Sequence, residues 1–153
     1  MEENYKNNVF IEMAVENYRK TLEQDHLLKL LQVIWKRMSE SGEVPVHMID
    51  VENTFKLPDE IYAGKVFTLD ENVRLRMGTV SDEEGKGWLP LYTSSEEANK
   101  DDTFRITMNL PIQKVLEVGL WDESIRGVVI NPFGKSFALT KELLSVILDC
   151  YEV

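Results

Sequence analysis

The sequence predicts an α+β protein: a single domain in which a mixed β-sheet packs against helices, with two helices coming first. Three observations predict it. Apolar residues recur at helical spacing over the first forty residues, the period changes to two from Val44, and strand-like and helix-like stretches alternate from residue 88 onward. At 153 residues the chain has the length of one ordinary domain, and domains of that size bury about 68–70% of their unfolded surface. No repeat, linker or low-complexity tract divides it, so 1–153 reads as one unit.

The elements follow in order. Val9, Phe10, Met13, Ala14 and Tyr18 share one helical face, and after the polar break Glu23-Gln24-Asp25 a second stripe runs through Leu27, Leu28, Leu31, Ile34, Trp35 and Met38. These stripes predict helices over 7–22 and 25–39, with Asp25 capping the second and Ser39-Glu40-Ser41-Gly42 ending it. Val44, Val46 and Met48 then alternate with Pro45, His47 and Ile49 as a strand, and the proline favours a strand start or a sheet edge. The stretch 52–64 has no clean period and reads as a loop or short hairpin. Val73, Leu75 and Met77 alternate with Arg74, Arg76 and Gly78 as a half-buried strand, and a solvated turn over 81–87 leads into a short strand over 88–92.

Ser94-Ser95-Glu96-Glu97 has hydroxyls to cap a helix and carboxylates for the positive end of its dipole. Asp101-Asp102 reads as a hairpin turn before a strand carrying Phe104, Ile106 and Met108. Asn109-Leu110-Pro111 opens a helix with Ile112, Val115, Leu116 and Gly119 on one face. A buried strand over 126–131 and a neighbour over 136–139 follow, and Thr140 caps a last helix bearing Leu143, Leu144, Ile147, Leu148 and Tyr151.

Charge narrows the classes of function. Seventeen basic against twenty-seven acidic residues give −10, and residues 42–153 carry twenty acids against eleven bases. Such a surface repels phosphate backbones and anionic lipid, which argues against nucleic-acid and membrane-surface binding. The longest apolar runs, such as Val128-Val129-Ile130, fall far short of the ~20 residues of a membrane helix. The N-terminus lacks a basic region followed by an apolar one, so a cytoplasmic location is the expectation. Cys150 is the only cysteine, which excludes an intrachain disulfide or a multi-cysteine zinc site and reads as a core or core-edge thiol.

Catalytic patterns are weak. Gly134-Lys135-Ser136 resembles the end of a phosphate-binding loop, but the position needing glycine is Val129 and the residues that follow read as strand. His26 and His47 lie in different elements without metal-ligand spacing and read as solvated or capping histidines. The serines lack a nucleophile-elbow context, and the acidic pairs match no calcium loop and read as solvated faces. No catalytic residue, metal or cofactor is therefore expected, and the balance leans away from an enzyme.

Two stretches stand apart. In Trp88-Leu89-Pro90-Leu91-Tyr92, alternation places Trp88, Pro90 and Tyr92 on one side and both leucines on the other, so each face is apolar. The proline biases this strand toward an edge, with one face free as a contact surface. In Gly127-Val128-Val129-Ile130-Asn131-Pro132-Phe133-Gly134 the strand ends at Asn131, which can bond a neighbouring backbone amide while Gly134 takes the turn.

On these residues the chain resembles the N-terminal domain of the SseB, or enhanced serine sensitivity, proteins of bacteria. The likeness covers about residues 25–150. It rests on Trp88-Leu-Pro-Leu-Tyr-Thr-Ser-Ser-Glu-Glu97, the helix around Leu110 to Leu116, and Gly127-Val-Val-Ile-Asn-Pro-Phe-Gly134 with Phe137-Ala-Leu-Thr-Lys-Glu-Leu143. It implies a compact mixed α and β domain without assigned catalytic residues; some family members carry a second domain that this sequence does not include.

The leading functional expectation is a protein-interaction or regulatory module, using Trp88, Pro90, Tyr92, Thr93, Glu96, Glu97, Asn131, Pro132 and Phe133 to bind a basic or amphipathic partner. The alternative is a small-molecule-binding or enzymatic domain whose pocket lies between the 88–97 and 131–134 segments, with Asn131, Thr93 and Glu96 or Glu97 as polar groups. A homodimer interface is the third reading.

Overall fold

The protein is described by a computed structural model that covers residues 5–50, 75–101 and 106–152. The expected strand residues Val73 and Phe104, the 52–64 stretch and Asp102 lie outside these described residues.

A single 3-10 turn, Lys6–Asn8, leads into α1, Val9–Thr21, and Leu22 ends that helix in the left-handed conformation. Helix α2, Gln24–Ser39, packs back on α1. Both helices lie where periodicity placed them; Ala14 of the first expected stripe and Leu31, Ile34 and Met38 of the second are buried, and the remaining face residues differ from the expectation. Helix α1 buries Ile11, Ala14 and Val15 and leaves Val9, Phe10 and Met13 exposed, while α2 buries Leu30, Leu31, Ile34 and Met38 and exposes Leu28 and Trp35. Six of the seven residues 9–15 are apolar and cover most of the helix circumference, so spacing alone cannot select a face. Burial of Asn8 one turn before Ile11 selects it. Asp25 sits in the first turn of α2 rather than at its cap, which is Glu23.

Strand β1, Glu43–Asp50, is the centre of an antiparallel sheet, with β2, Leu75–Met77, on one side and β5, Ile106–Pro111, on the other. A second sheet has the order β3, β4, β6, β7, formed by Val80–Ser81, Gly87–Leu91, Ile125–Ile130 and Phe137–Thr140. Gly78 and Thr79 alone separate β2 from β3, and Gly78 N donates to His47 O at 2.8 Å, so one jogged stretch of chain joins the sheets.

Pro45 and Pro90 both occupy interior strands: Pro90 against the expectation of an edge, Pro45 as the third residue of β1, near the strand start that was its other expected place. Each sits where only one neighbour pairs: β1 meets β2 only from Met48 to Asp50, and β4 meets β3 only at Gly87 and Trp88. A missing N–H is tolerated there because no ladder requires it.

The connection from β4 to its parallel neighbour β6 passes through a short helix α3, Ser95–Ala98, then β5 in the other sheet, then α4, Ile112–Trp121. Ser94 caps α3 by accepting a hydrogen bond from Glu97 N at 3.2 Å. Helix α4 buries Ile112, Val115, Leu116 and Gly119, the predicted face, and Gly119 is packed so closely that a Cβ there would overlap Val128 Cγ2. The final helix α5, Lys141–Glu152, starts where Thr140 Oγ1 accepts from Leu143 N and buries Leu144, Ile147 and Leu148. The core lies between α2, α4 and α5 and the β4–β6 pair, whose inward Leu89, Leu91, Val128 and Ile130 are buried. The result is the α+β fold with two N-terminal helices.

Candidate functional site

Because β4 and β6 run parallel, their C-terminal ends finish side by side, which is where open α/β sheets place binding sites. Asn131, the first residue past β6, donates its backbone N–H to Leu91 O at 2.9 Å and adopts φ +44°. Asparagine is one of the few residues that enters this left-handed region readily. Its side chain then reaches across to β4: Oδ1 accepts from Thr93 N at 3.0 Å and Nδ2 donates to Thr93 Oγ1 at 2.9 Å.

Thr93 O is held in turn. It accepts from Asn8 Nδ2 at 3.1 Å, and the same amide donates to Glu43 O at 2.9 Å. Asn8 Oδ1 accepts from Arg37 Nε at 2.9 Å, and Arg37 Nη1 meets Glu40 Oε1 at 3.2 Å. Asn8, Arg37, Thr93 and Asn131 are all buried. This polar spine ties the start of α1, the end of α2, the start of β1 and the ends of β4 and β6. The path is kept open by Gly42, whose missing side chain would collide with Arg37 O and the Arg37 guanidinium.

Above the spine lies an open cleft of about 450 Å³ between α1, α3 and the turn after β6. Val9, Glu12, Met13 and Glu16 line one wall, Glu97 and Lys100 the next, and Asn131, Gly134 and Lys135 the third. Its lysines are paired: Lys100 Nζ meets Glu97 Oε2 at 2.7 Å and Lys135 Nζ meets Glu16 Oε1 at 2.9 Å. The hydrogen bond and charge of Lys135, joined by those of Lys20, hold the Glu16 carboxyl below its usual range; the bond to Glu97 raises the Lys100 ammonium.

The predicted site residues divide. Thr93, Asn131, Glu97 and the 132–134 turn lie together, Phe133 and Glu96 are exposed, and Pro132 is half-buried. Pro90 and Tyr92 are buried, so neither forms part of an exposed contact face. The parallel register places Trp88 near the opposite end of the strand pair, where its Nε1 donates to Asp82 Oδ2 at 2.9 Å. The single surface expected from 88 to 97 is therefore split by the length of β4.

Tyr92 meets the His47 ring edge-on at 5.4 Å between centroids, and its buried hydroxyl has no hydrogen-bond partner among the described residues. Burial pushes the phenol well above its ordinary pKa, with the Asp101 carboxylate acting in the same direction. His47 is a core residue rather than a solvated one: Nε2 donates to Ala98 O at 2.8 Å and Nδ1 lies 3.0 Å from Thr107 Oγ1. His26 is half-buried and bonds Thr21 Oγ1 at 2.6 Å. Gly134-Lys135-Ser136 leads into β7 rather than a helix.

Sequence reasoning missed Asn8, Arg37, Val9 and Met13 as parts of this region. Arg37 carried a readable signal, since it falls one turn after Ile34 on the buried face of α2. Of the polar groups expected to line a small-molecule pocket, Thr93 and Asn131 bond each other within the spine. Among the described residues no group of three His, Cys, Asp or Glu side chains is placed to hold a metal ion, and no helix is long and apolar enough to cross a membrane.

No family model, no curated protein and no solved structure matches the chain.

Proposed function

We propose that this is an SseB-like, cytoplasmic bacterial interaction module whose binding surface is the cleft between α1 and the turn after β6. One observation carries the reading. Val9 and Met13, 44% and 54% exposed, line a cleft whose walls bear Glu12, Glu16 and Glu97, and Phe133, 51% exposed, belongs to the turn whose Asn131 and Gly134 close it. Exposed large apolar residues gathered at a concave surface mark a site of association more often than chance scatter does.

The partner that fits is an amphipathic protein segment carrying lysine or arginine. Its apolar side chains would cover Met13 and Phe133, and its cations would compete with Lys100 and Lys135 for the carboxylates. The buried spine beneath supplies a rigid floor, so binding there would order few additional groups.

The test is affinity capture with the wild-type chain and with Met13→Ser plus Phe133→Ser, both verified as folded by circular dichroism. Capture of the same partner should fall by about tenfold or more in the variant, as for hot-spot truncation. Trp88→Phe, at the far end of the strand pair, should leave it unchanged. Undiminished capture by the Met13/Phe133 variant would sink the assignment.

A further inference from the structure

A second apolar surface lies on the far side of the core, where α2 and α5 pack together. Leu31, Gln32, Trp35, Val146 and Ile147 line a groove of about 240 Å³ between the two helices, and Trp35 and Val146 remain 38% and 47% exposed. Leu28, one turn before Gln32, is exposed as well.

The charges beside the groove differ in sign between the two helices. On α2, Lys29 and Lys36 are exposed and lie on the flank opposite Leu31, since each residue turns the helix by about 100°, and Asp25 joins them at the N-terminal end of that flank, which stays net basic. On α5, Glu142 and Asp149 are exposed and lie on the flank opposite Ile147 by the same count. The surface therefore reads, from side to side, as a basic rim, an apolar centre and an acidic rim. The two lysines are seven positions apart, as are the two acids, so each pair spans about 10 Å along its helix. None of the four makes an ion pair among the described residues.

We infer that this face docks against a second copy of the same chain, related by a two-fold axis running along the groove. Such an axis exchanges left and right across the contact. It lays the basic rim of one protomer on the acidic rim of the other, twice, while Trp35 and Val146 of both copies meet at the centre. The equal spacing lets both lysines of α2 reach both acids of the facing α5. A two-fold axis set across the helices would oppose like charges, so the charge pattern selects one arrangement. The inference is independent of the cleft beside α1, which the dimer leaves open.

The experiment is sedimentation equilibrium of the full chain from about 1 to 300 µM, with circular dichroism to confirm folding of each variant. The wild type should show a monomer–dimer equilibrium that weakens as salt rises from about 50 to 500 mM. Lys29→Glu with Lys36→Glu makes both rims acidic and should weaken self-association by at least about tenfold, because four exposed pairs are lost and replaced by repulsion. Glu142→Lys with Asp149→Lys makes both rims basic and should do the same. Mixing the two reversed proteins should restore a dimer, now a heterodimer, because their rims are complementary again. A wild type that stays monomeric throughout overturns the inference and leaves the groove to a different partner. Dimerisation undisturbed by either reversal, or failure of the mixture to associate, overturns it also.

Discussion

The two ends of the β4–β6 strand pair hold polar networks of similar size in opposite surroundings. At the N-terminal end, Asp82 accepts from Trp88 Nε1 and from the amides of Glu84 and Lys86, each at 2.9 Å, while Arg126 reaches Glu84 at 3.2 Å. Most of these groups face water. At the C-terminal end, Asn131, Thr93, Asn8 and Arg37 are buried and bonded in series. The bond lengths hardly differ, but the consequences of breaking them do. A solvated group that loses its partner turns to water, whereas a buried one keeps the whole desolvation penalty. The buried end can therefore act as a fixed support for the cleft, and the exposed end only closes a turn.

The widest gap between the ends should come from Asn131→Ala. It strands Thr93 N–H and Oγ1 in the interior and puts alanine at φ +44°. A loss of about 3 kcal/mol in urea unfolding is expected. Asn131→Gly separates the two causes: it removes the same hydrogen bonds without the left-handed strain and should recover about 1 kcal/mol of that loss. Equal losses in both variants would assign the whole effect to the hydrogen bonds.

Next in size is a change of opposite sign. Tyr92 is buried beside the spine, yet its hydroxyl has no partner among the described residues. Tyr92→Phe should raise stability by about 1 kcal/mol, because burial of an unbonded hydroxyl is a cost that phenylalanine avoids. A destabilised Tyr92→Phe protein would show that the hydroxyl is bonded in solution and that the buried end is more completely satisfied than its geometry indicates.

The sequence made much of the architecture legible and less of the site. Helix α4 was readable to the face because Ile112, Val115, Leu116 and Gly119 recur at i, i+3, i+4 and i+7 while Gln113, Lys114 and Glu117 interrupt the rest of the first two turns. In α1 the same reasoning chose Ala14, which is buried, and Tyr18, half-buried, but also Val9, Phe10 and Met13, which are exposed, because apolar residues surround the helix and the deciding residue is the polar Asn8. Pro45 and Pro90 suggested edges because a proline reports one missing bond, not which neighbour is absent or how far that neighbour extends. Asn131 and Thr93 were found as local signals. Their junction through Asn8 to Arg37 joins residues 29 to 85 positions apart, a separation that no local pattern encodes.

The smallest effect belongs to the exposed end, and it is a test of cause more than of size. The hydrogen bond from Trp88 is the foremost reason that the Asp82 carboxyl titrates below its ordinary value, and the Arg126 charge, with Nη1 4.0 Å away, is the least. A lowered folded pKa means the contribution of Asp82 is present above the unfolded value and lost as pH falls through the folded one. The difference in tryptophan fluorescence between wild type and Trp88→Phe should therefore change with a midpoint below the ordinary Asp value of about 3.9. Raising salt from about 50 to 500 mM shortens the screening length severalfold and weakens the Arg126 attraction. A hydrogen bond at contact distance is nearly immune to that screening. The midpoint should stay where it is in high salt and move up toward the ordinary value only if Arg126, not Trp88, holds the proton off.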